Sequence, residues 1–131
     1  MGDTVTTQLL SSGTNKKVLK FTNISDGTGE ADVVKVNVDD ANTCNWPTGT
    51  LCKINQIWMI SNLIWKLEWE ATSDVLIMTS GSYCCNYLDF RSFGGLRNNA
   101  GAGVTGDISI TTTGVNLRTY TIIMEVERDS F

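Results

Sequence analysis

The sequence contains no histidine and only one proline, Pro47. Histidine is the commonest general base near neutral pH and the commonest metal ligand, so its absence argues against both catalysis and a metal cofactor. We therefore expect a protein that is not an enzyme, needs no cofactor and acts on no small-molecule substrate.

Basic residues are outnumbered, with 10 Lys and Arg against 14 Asp and Glu and a net charge of −4 at pH 7. A nucleic-acid-binding protein needs a basic surface that displaces counterions from phosphates. The one basic cluster, Lys16, Lys17 and Lys20, is small and opens a predicted strand whose alternate side chains face water. We expect no nucleic-acid partner.

Long hydrophobic runs are also missing. The most apolar stretch, 57–69, is interrupted by polar residues such as Ser61 and Lys66, whereas a membrane-spanning helix needs about 20 consecutive apolar residues. Residues 1–4 lack the basic start and apolar core of a secretory leader. We expect a protein that is made in a cytoplasm and has no membrane partner.

The sequence shows alternation of apolar and polar residues at 65–69, 107–111 and 120–127. Period-two alternation is typical of strands with one buried face, and in 65–69 it points both tryptophans and the leucine inward. No long segment carries a helical stripe. The predicted fold is all-β: a single-domain β-sandwich, jelly-roll or immunoglobulin-like, of about eight short antiparallel strands over residues 16–131, preceded by an N-terminal arm, 1–15.

One local prediction concerns a hairpin near the start of the domain. Strands at 17–24 and 31–38 flank Asp26 and Gly27, a dipeptide that favours tight hairpin turns. Alternation in the second strand predicts that Val34, Val36 and Val38 face one side of the sheet while Lys35 and Asn37 face the other.

The four cysteines do not form a metal-binding pattern, since no Cys-x-x-Cys pair is present. Cys44 and Cys52 flank a turn-like segment that is able to bring them together, so a disulfide is one alternative. Free thiols are favoured in a reducing cytoplasm. Adjacent Cys84 and Cys85 are predicted to point to opposite faces of a strand.

Four motifs suggest ligand chemistry, and each has a simpler explanation. The glycine spacing of 101–106 matches a dinucleotide fingerprint but precedes a strand where that motif needs a helix. The oxygen-rich segment 23–32 suggests calcium, although a turn explains it. Glu68 and Glu70 suggest a glycosidase pair, although any wet strand face provides them. Trp46 lies in a predicted loop and is a candidate platform for sugars.

The segment 93–106 is the best candidate for a contact surface, because long loops in compact domains are often functional. The polar N-terminal arm, with one apolar pair, is the second candidate. The predicted partner-binding residues are Leu9, Leu10, Phe93, Leu96, Arg97, Asn98 and Asn99.

Several blocks of the sequence resemble small virion structural proteins of tailed bacteriophages. The resemblance covers most of the chain and rests on residues 20–30, 65–69, 93–101 and 106–107. The segment 44–52 and the pair Cys84-Cys85 depart from the pattern. The resemblance implies a virion component without enzymatic activity.

Small size, an acidic strand-rich surface and a glycine-rich loop lead us to expect a capsid decoration or cement protein that binds the phage head shell. Its expected partners are the major capsid protein or other virion proteins, and we expect a homo-oligomer, because symmetric shells use many copies of a small module. The expected location is the virion, after synthesis in the host cytoplasm. The alternatives are a neck, tail or fibre-attachment component and a host-glycan-binding module.

Overall fold

The computed structural model describes residues 3–81 and 83–129, with only the backbone described at Cys84. Ten strands and one 3₁₀ turn, Arg91–Phe93, make up its regular structure. The strands are β1 (Thr4–Ser12), β2 (Lys16–Ile24), β3 (Val33–Val36), β4 (Cys52–Ser61), β5 (Trp65–Trp69), β6 (Val75–Thr79), β7 (Cys84–Asp89), β8 (Leu96–Arg97), β9 (Ile108–Thr112) and β10 (Thr119–Arg128).

The strands form two antiparallel sheets. The larger sheet has the order β1-β2-β10-β4-β7, with β8 also paired to β4, and the smaller sheet has the order β3-β9-β5-β6. The predicted all-β sandwich is confirmed. It has ten strands where about eight were expected, because β1 lies in the predicted arm and β8 in the predicted loop. In the described part of the chain, no helix is long and apolar enough to cross a bilayer.

The predicted hairpin is wrong. β2 pairs with β1 and β10, whereas β3 pairs with β9 in the other sheet. The turn therefore carries the chain from one sheet to the other. The Asp3 carboxylate holds this turn by accepting hydrogen bonds from the backbone amides of Asp26 and Gly29, each at 3.1 Å.

Side chains from the inner faces of both sheets fill the core. The predicted inward direction of Trp65, Leu67 and Trp69 is confirmed, since all three are buried. Trp46 is also buried, with 5% of its surface exposed, and its indole Nε1 donates a hydrogen bond to the carbonyl of Thr14 at 2.9 Å. The alternative of an exposed sugar platform at Trp46 is therefore wrong.

The predicted alternation of β3 is wrong, because Lys35 lies in the interior together with Val36. A register irregularity between Val34 and Val36 interrupts the alternation of β3, leaving Val34 exposed while Lys35 is 5% exposed. The ammonium group of Lys35 lies 2.6 Å from a carboxylate oxygen of Glu30, which is itself buried. A buried charge needs such a partner, because leaving water is otherwise very costly.

The second oxygen of Glu30 links this ion pair to the larger sheet. It accepts hydrogen bonds from the amide of Asn23 on β2 and from the hydroxyl of Tyr120 on β10, each at 2.7 Å. Burial, followed by the bond to Glu30, raises the pKa of Tyr120 far above its usual value, so the phenol stays protonated and donates. The network joins both sheets through buried polar groups.

We expect Glu30→Gln to lower the free energy of unfolding by about 3–5 kcal/mol, because it leaves the Lys35 charge buried without a counterion. Denaturant unfolding measures the loss. The double variant Glu30→Gln/Lys35→Met should regain most of the stability, since it removes both charges. Glu68→Gln, which removes the partner of the half-exposed Lys66, is the control and should cost less than about 1 kcal/mol. Equal small losses for the two single variants would contradict this assignment.

The thiols of Cys44 and Cys52 are both free and fully buried, so the alternative of a disulfide between them is not realised. Burial raises the pKa of Cys44 to about 12 and holds that of Cys52 well above its usual value. Cys85 is free and exposed. The side chain of Cys84 lies outside the described residues, so the prediction for this pair is tested only at Cys85, which faces out.

We expect a thiol-alkylating reagent to modify Cys85 in the native protein and to spare Cys44 and Cys52, because only thiolates react and buried thiols stay protonated. Peptide mass spectrometry after native labelling measures this. Labelling in denaturant should modify all three residues. Native modification of Cys44 as fast as that of Cys85 would contradict the buried placement.

Candidate protein-binding surface

An exposed aromatic pair lies on the outer face of the larger sheet. In β4 the alternation buries Ile57 and Met59 and leaves Trp58 37% exposed. Trp58 stands between Ile123 of β10 and Tyr87 of β7 in the cross-strand register. Its ring stacks on that of Tyr87, with centroids 5.1 Å apart and an interplanar angle of 24°. Rigid strands on both sides therefore hold two large rings at the surface.

Two further exposed side chains continue this surface. Ile60, two residues further along β4, is 59% exposed, and Tyr83, just before β7, is 75% exposed. The guanidinium carbon of Arg118 lies 5.8 Å from the centre of the Tyr83 ring, within the range of a cation–π contact. We call Trp58, Ile60, Tyr83, Tyr87 and Ile123 the aromatic patch.

Two open grooves run across the aromatic patch and share Ile60 and Cys85 as lining residues. One, of about 600 Å³, extends past Tyr83 towards Asn62. The other, of about 400 Å³, follows Trp58 and Tyr87. Contiguous exposed apolar surface with this relief is typical of binding sites for other molecules.

Polar groups border the aromatic patch at one end. The hydroxyl of Tyr87 donates to the side-chain oxygen of Gln56 at 2.5 Å, and the amide of Gln56 donates to the Glu125 carboxylate. Next to them, Asp89 accepts two hydrogen bonds from the Arg91 guanidinium, at 2.9 and 2.8 Å. This contact lowers the pKa of Asp89 far below its usual value. An apolar centre with a polar border resembles the anatomy of protein–protein interfaces.

The predicted partner-binding residues do not form one surface. Leu9 and Leu10 lie on β1, whereas Phe93, Leu96, Arg97, Asn98 and Asn99 lie on or beside β8. The two groups occupy opposite edges of the larger sheet, four interstrand spacings or about 19 Å apart. A single flat partner is able to contact both groups only by covering most of the sheet.

The segment 93–106 contains regular structure where a loop was expected. It begins at the end of the 3₁₀ turn, pairs with β4 through β8 and leads into β9 without an α-helix, so the nucleotide fingerprint lacks its helix. Phe93 is 64% exposed, and Leu96 packs against the core. The guanidinium of Arg97 lies 3.7 Å from a carboxylate oxygen of Asp129. The side-chain oxygen of Asn98 accepts a hydrogen bond from the backbone amide of Ala100 in the same loop.

The aromatic patch is the part of this surface that the sequence did not reveal. Residues 57–60 are uninterrupted apolar residues, so no alternation marks Trp58 as outward. Its partner Tyr87 is 29 positions away and becomes its neighbour only through strand pairing. Adjacency of this kind follows from strand order, which local sequence patterns do not contain.

Carboxylates converge on the smaller sheet. In the described part of the chain, Asp32, Glu70 and Asp74 place carboxylate oxygens within 4.8 Å of one another. Asp32 accepts a hydrogen bond from Ser109 at 2.7 Å, which is the main reason why its pKa is lowered. Burial, opposed by Ser109 but reinforced by Asp32 and Asp74, raises the pKa of Glu70. Carboxylate oxygens suit calcium or magnesium as ligands. Protonation of Glu70 is a second way to relieve the repulsion among the three carboxylates.

We expect Glu70→Gln to be more stable than the natural protein at neutral pH. A carboxyl group with a raised pKa binds protons more tightly in the folded state, so its contribution to stability falls as pH rises through that pKa. The stability difference should therefore shrink in acid, where Glu70 is protonated in both states. Thermal unfolding from acidic to neutral pH measures it, with Glu68→Gln, two residues earlier in the chain and outside the acidic cluster, as the control. A Glu70→Gln variant that is less stable at neutral pH would contradict this account.

Comparison with known proteins adds no relative to these observations. No family model matches the chain, and neither a curated protein nor a solved structure matches it. Its function must therefore be inferred from the geometry above and from the sequence resemblance.

Proposed function

We propose that this protein is a structural component of a tailed-phage virion, a decoration or cement protein that binds the head shell and is not an enzyme. The observation that carries the proposal is the stacked pair of Trp58 and Tyr87, exposed on the outer face of the larger sheet near one edge. The resemblance of its sequence to small virion structural proteins supplies the biological setting. The aromatic patch is the proposed attachment surface.

The chemistry of the aromatic patch suits attachment to a protein. Trp and Tyr are enriched among the residues that dominate binding energy in interfaces, particularly where a polar border excludes water. Trp58 and Tyr87 lie on hydrogen-bonded strands, so little conformational entropy is lost when a partner orders them. A small rigid module with one such surface fits repeated attachment to a symmetric shell.

The same aromatic pair also supports a second candidate, a glycan-binding module that contacts the host. Sugar rings stack on exposed aromatic faces, and the groove of about 400 Å³ beside Trp58 and Tyr87 offers space for them. The buried Trp46 takes no part in this alternative. A neck, tail or fibre-attachment role uses the same protein-binding chemistry and differs from the shell role in copy number.

We expect Trp58→Ala to weaken binding to phage heads that lack this protein by about 30-fold or more, the effect of losing a dominant interface residue of about 2 kcal/mol. Co-sedimentation with purified heads measures the affinity. Phe93→Ala removes an exposed aromatic side chain at the sheet edge, outside the aromatic patch, and is the matched control.

Three results bear on this proposal. Natural protein that stays wholly in the supernatant would defeat attachment to the head. Loss of binding in Phe93→Ala but not in Trp58→Ala would move the attachment surface to the predicted loop. A change in tryptophan fluorescence on glycan titration, without head binding, would favour the glycan-binding module. Mass spectrometry of purified virions separates hundreds of copies, as in a shell, from the six or twelve of a tail.

A further inference from the structure

The strand β1 is an open sheet edge without charge. Its nine residues, Thr4–Ser12, include no Asp, Glu, Lys, Arg or Pro. One side of the strand pairs with β2 over its whole length, and the other side ends the larger sheet. Every side chain except that of Leu9 is exposed. Within residues 3–81 and 83–129 no strand pairs with the other side of β1, so backbone donors and acceptors line an open edge.

Natural sheets protect such edges with charged side chains, proline or irregular backbone, because an open edge is a template for pairing. In β1 the only such device is a register irregularity between Leu9 and Ser11. The run before it, from Thr4 to Leu9, pairs regularly with β2. This run is long enough to form a ladder with another strand.

The inner side of β1 is uncovered as well. Val5 and Thr7 pair with Asn23 and Phe21, whose side chains point into the core, so they share the inner face of the sheet. Val5 is nevertheless 44% exposed, because the smaller sheet has four strands where the larger has six. An added strand would shield this valine from water.

We propose that the occupant of this edge is a second copy of the chain, paired through an isologous antiparallel contact of the two β1 strands centred on Thr6. In this register Thr6 faces its own copy, Thr4 faces Gln8 and Val5 faces Thr7. Antiparallel partners share one face of a sheet, so the residue numbers of each pair must both be even or both be odd, which this register satisfies. The result is one continuous sheet through the dimer.

The neutrality of β1 removes a local obstacle to pairing with a second copy. Each chain carries a net charge of −4, so two copies repel each other overall, and a contact between neutral strands adds no local repulsion to this. A strand that pairs with itself brings equal charges together wherever it carries any, and like charges directly opposite destabilise a sheet. All residues of β1 are neutral, so no such repulsion arises there.

The other sheet edges fit this geometry less well. β7 ends at Asp89 and β3 contains Lys35. β6 is neutral but has only five residues, and a register irregularity between Leu67 and Glu68 interrupts its pairing with β5. It therefore offers a shorter regular run than Thr4 to Leu9 of β1.

A row of threonines on the larger sheet would continue across the proposed dimer contact. On the outer face, Thr6 lies opposite Thr22 of β2, and Thr22 lies opposite Thr121 of β10. The hydroxyls of Thr6 and Thr22 form a hydrogen bond. Across the dimer axis the row continues from Thr6 to Thr6 of the second copy, and cross-strand threonine pairs stabilise a sheet.

The test uses Thr6→Lys and Thr6→Asp, which place like charges opposite each other on the dimer axis. Sedimentation of the purified protein over a dilution series should show a dimer for the natural chain and a monomer for each variant alone. An equimolar mixture of the two variants should form a heterodimer, because Lys then faces Asp. Ser92→Lys, an exposed position in the 3₁₀ turn beyond the opposite sheet edge, is the control and should stay dimeric.

Each other outcome overturns the proposal. A natural chain that is monomeric at every concentration, or a Thr6→Lys variant as dimeric as the natural chain, rules out pairing at Thr6. Single variants that remain monomeric when mixed rule out the register centred on this residue. Circular dichroism of the separate variants should match that of the natural chain, since Thr6 is exposed. The test requires no phage head, so its failure leaves the proposed attachment untouched.

Discussion

The ion pair between Glu30 and Lys35 is the interaction on which the arrangement of the two sheets depends. Both groups are buried, so neither charge is tolerable without the other. The Glu30 carboxylate also accepts hydrogen bonds from Asn23 and Tyr120 of the larger sheet, while Lys35 belongs to the smaller one. Sliding one sheet over the other would separate the charges in a medium that cannot solvate them. The network thus favours one relative placement over many that apolar packing alone would allow.

With the inner faces packed together in this way, the proposed binding surfaces lie on the outer face and at the edge of the larger sheet. The inner faces are filled by buried aromatic and branched side chains, and the larger sheet extends beyond the smaller one. Its outer face carries the aromatic patch near one edge and the neutral strand β1 at the other. The two surfaces are separated by β2 and serve different proposed partners, so attachment and self-association are compatible within one copy.

Part of the fold was predictable from local sequence, and residues 65–69 show why. A strand with one buried face shows alternating apolar and polar residues in its own sequence, and the predicted inward directions of Trp65 and Trp69 are confirmed. The β2–β3 hairpin was not predictable, since a turn dipeptide is equally compatible with a crossing between sheets. The inward Lys35 depends on an irregular backbone and on a partner five residues away, and alternation indicates neither.

The candidate surfaces were also predictable from the sequence only in part. The sequence indicated that β1 and the segment 93–106 matter for contacts, which remains a prediction, but it placed a sugar platform at Trp46, which packs inside. Trp58 became a candidate only when strand pairing brought Tyr87 beside it. Exposure of an aromatic side chain in an apolar run depends on which strands lie next to it, and that information is global.

In the proposed attachment, the stacked pair of Trp58 and Tyr87 lies against the phage head. Hydroxyl-radical footprinting of the protein, free and bound to purified heads, tests this contact most directly. Oxidation of Trp58 and Tyr87 should fall strongly on binding while that of Phe93 changes little. Equal oxidation of Trp58 and Tyr87 in the free and head-bound protein would contradict it.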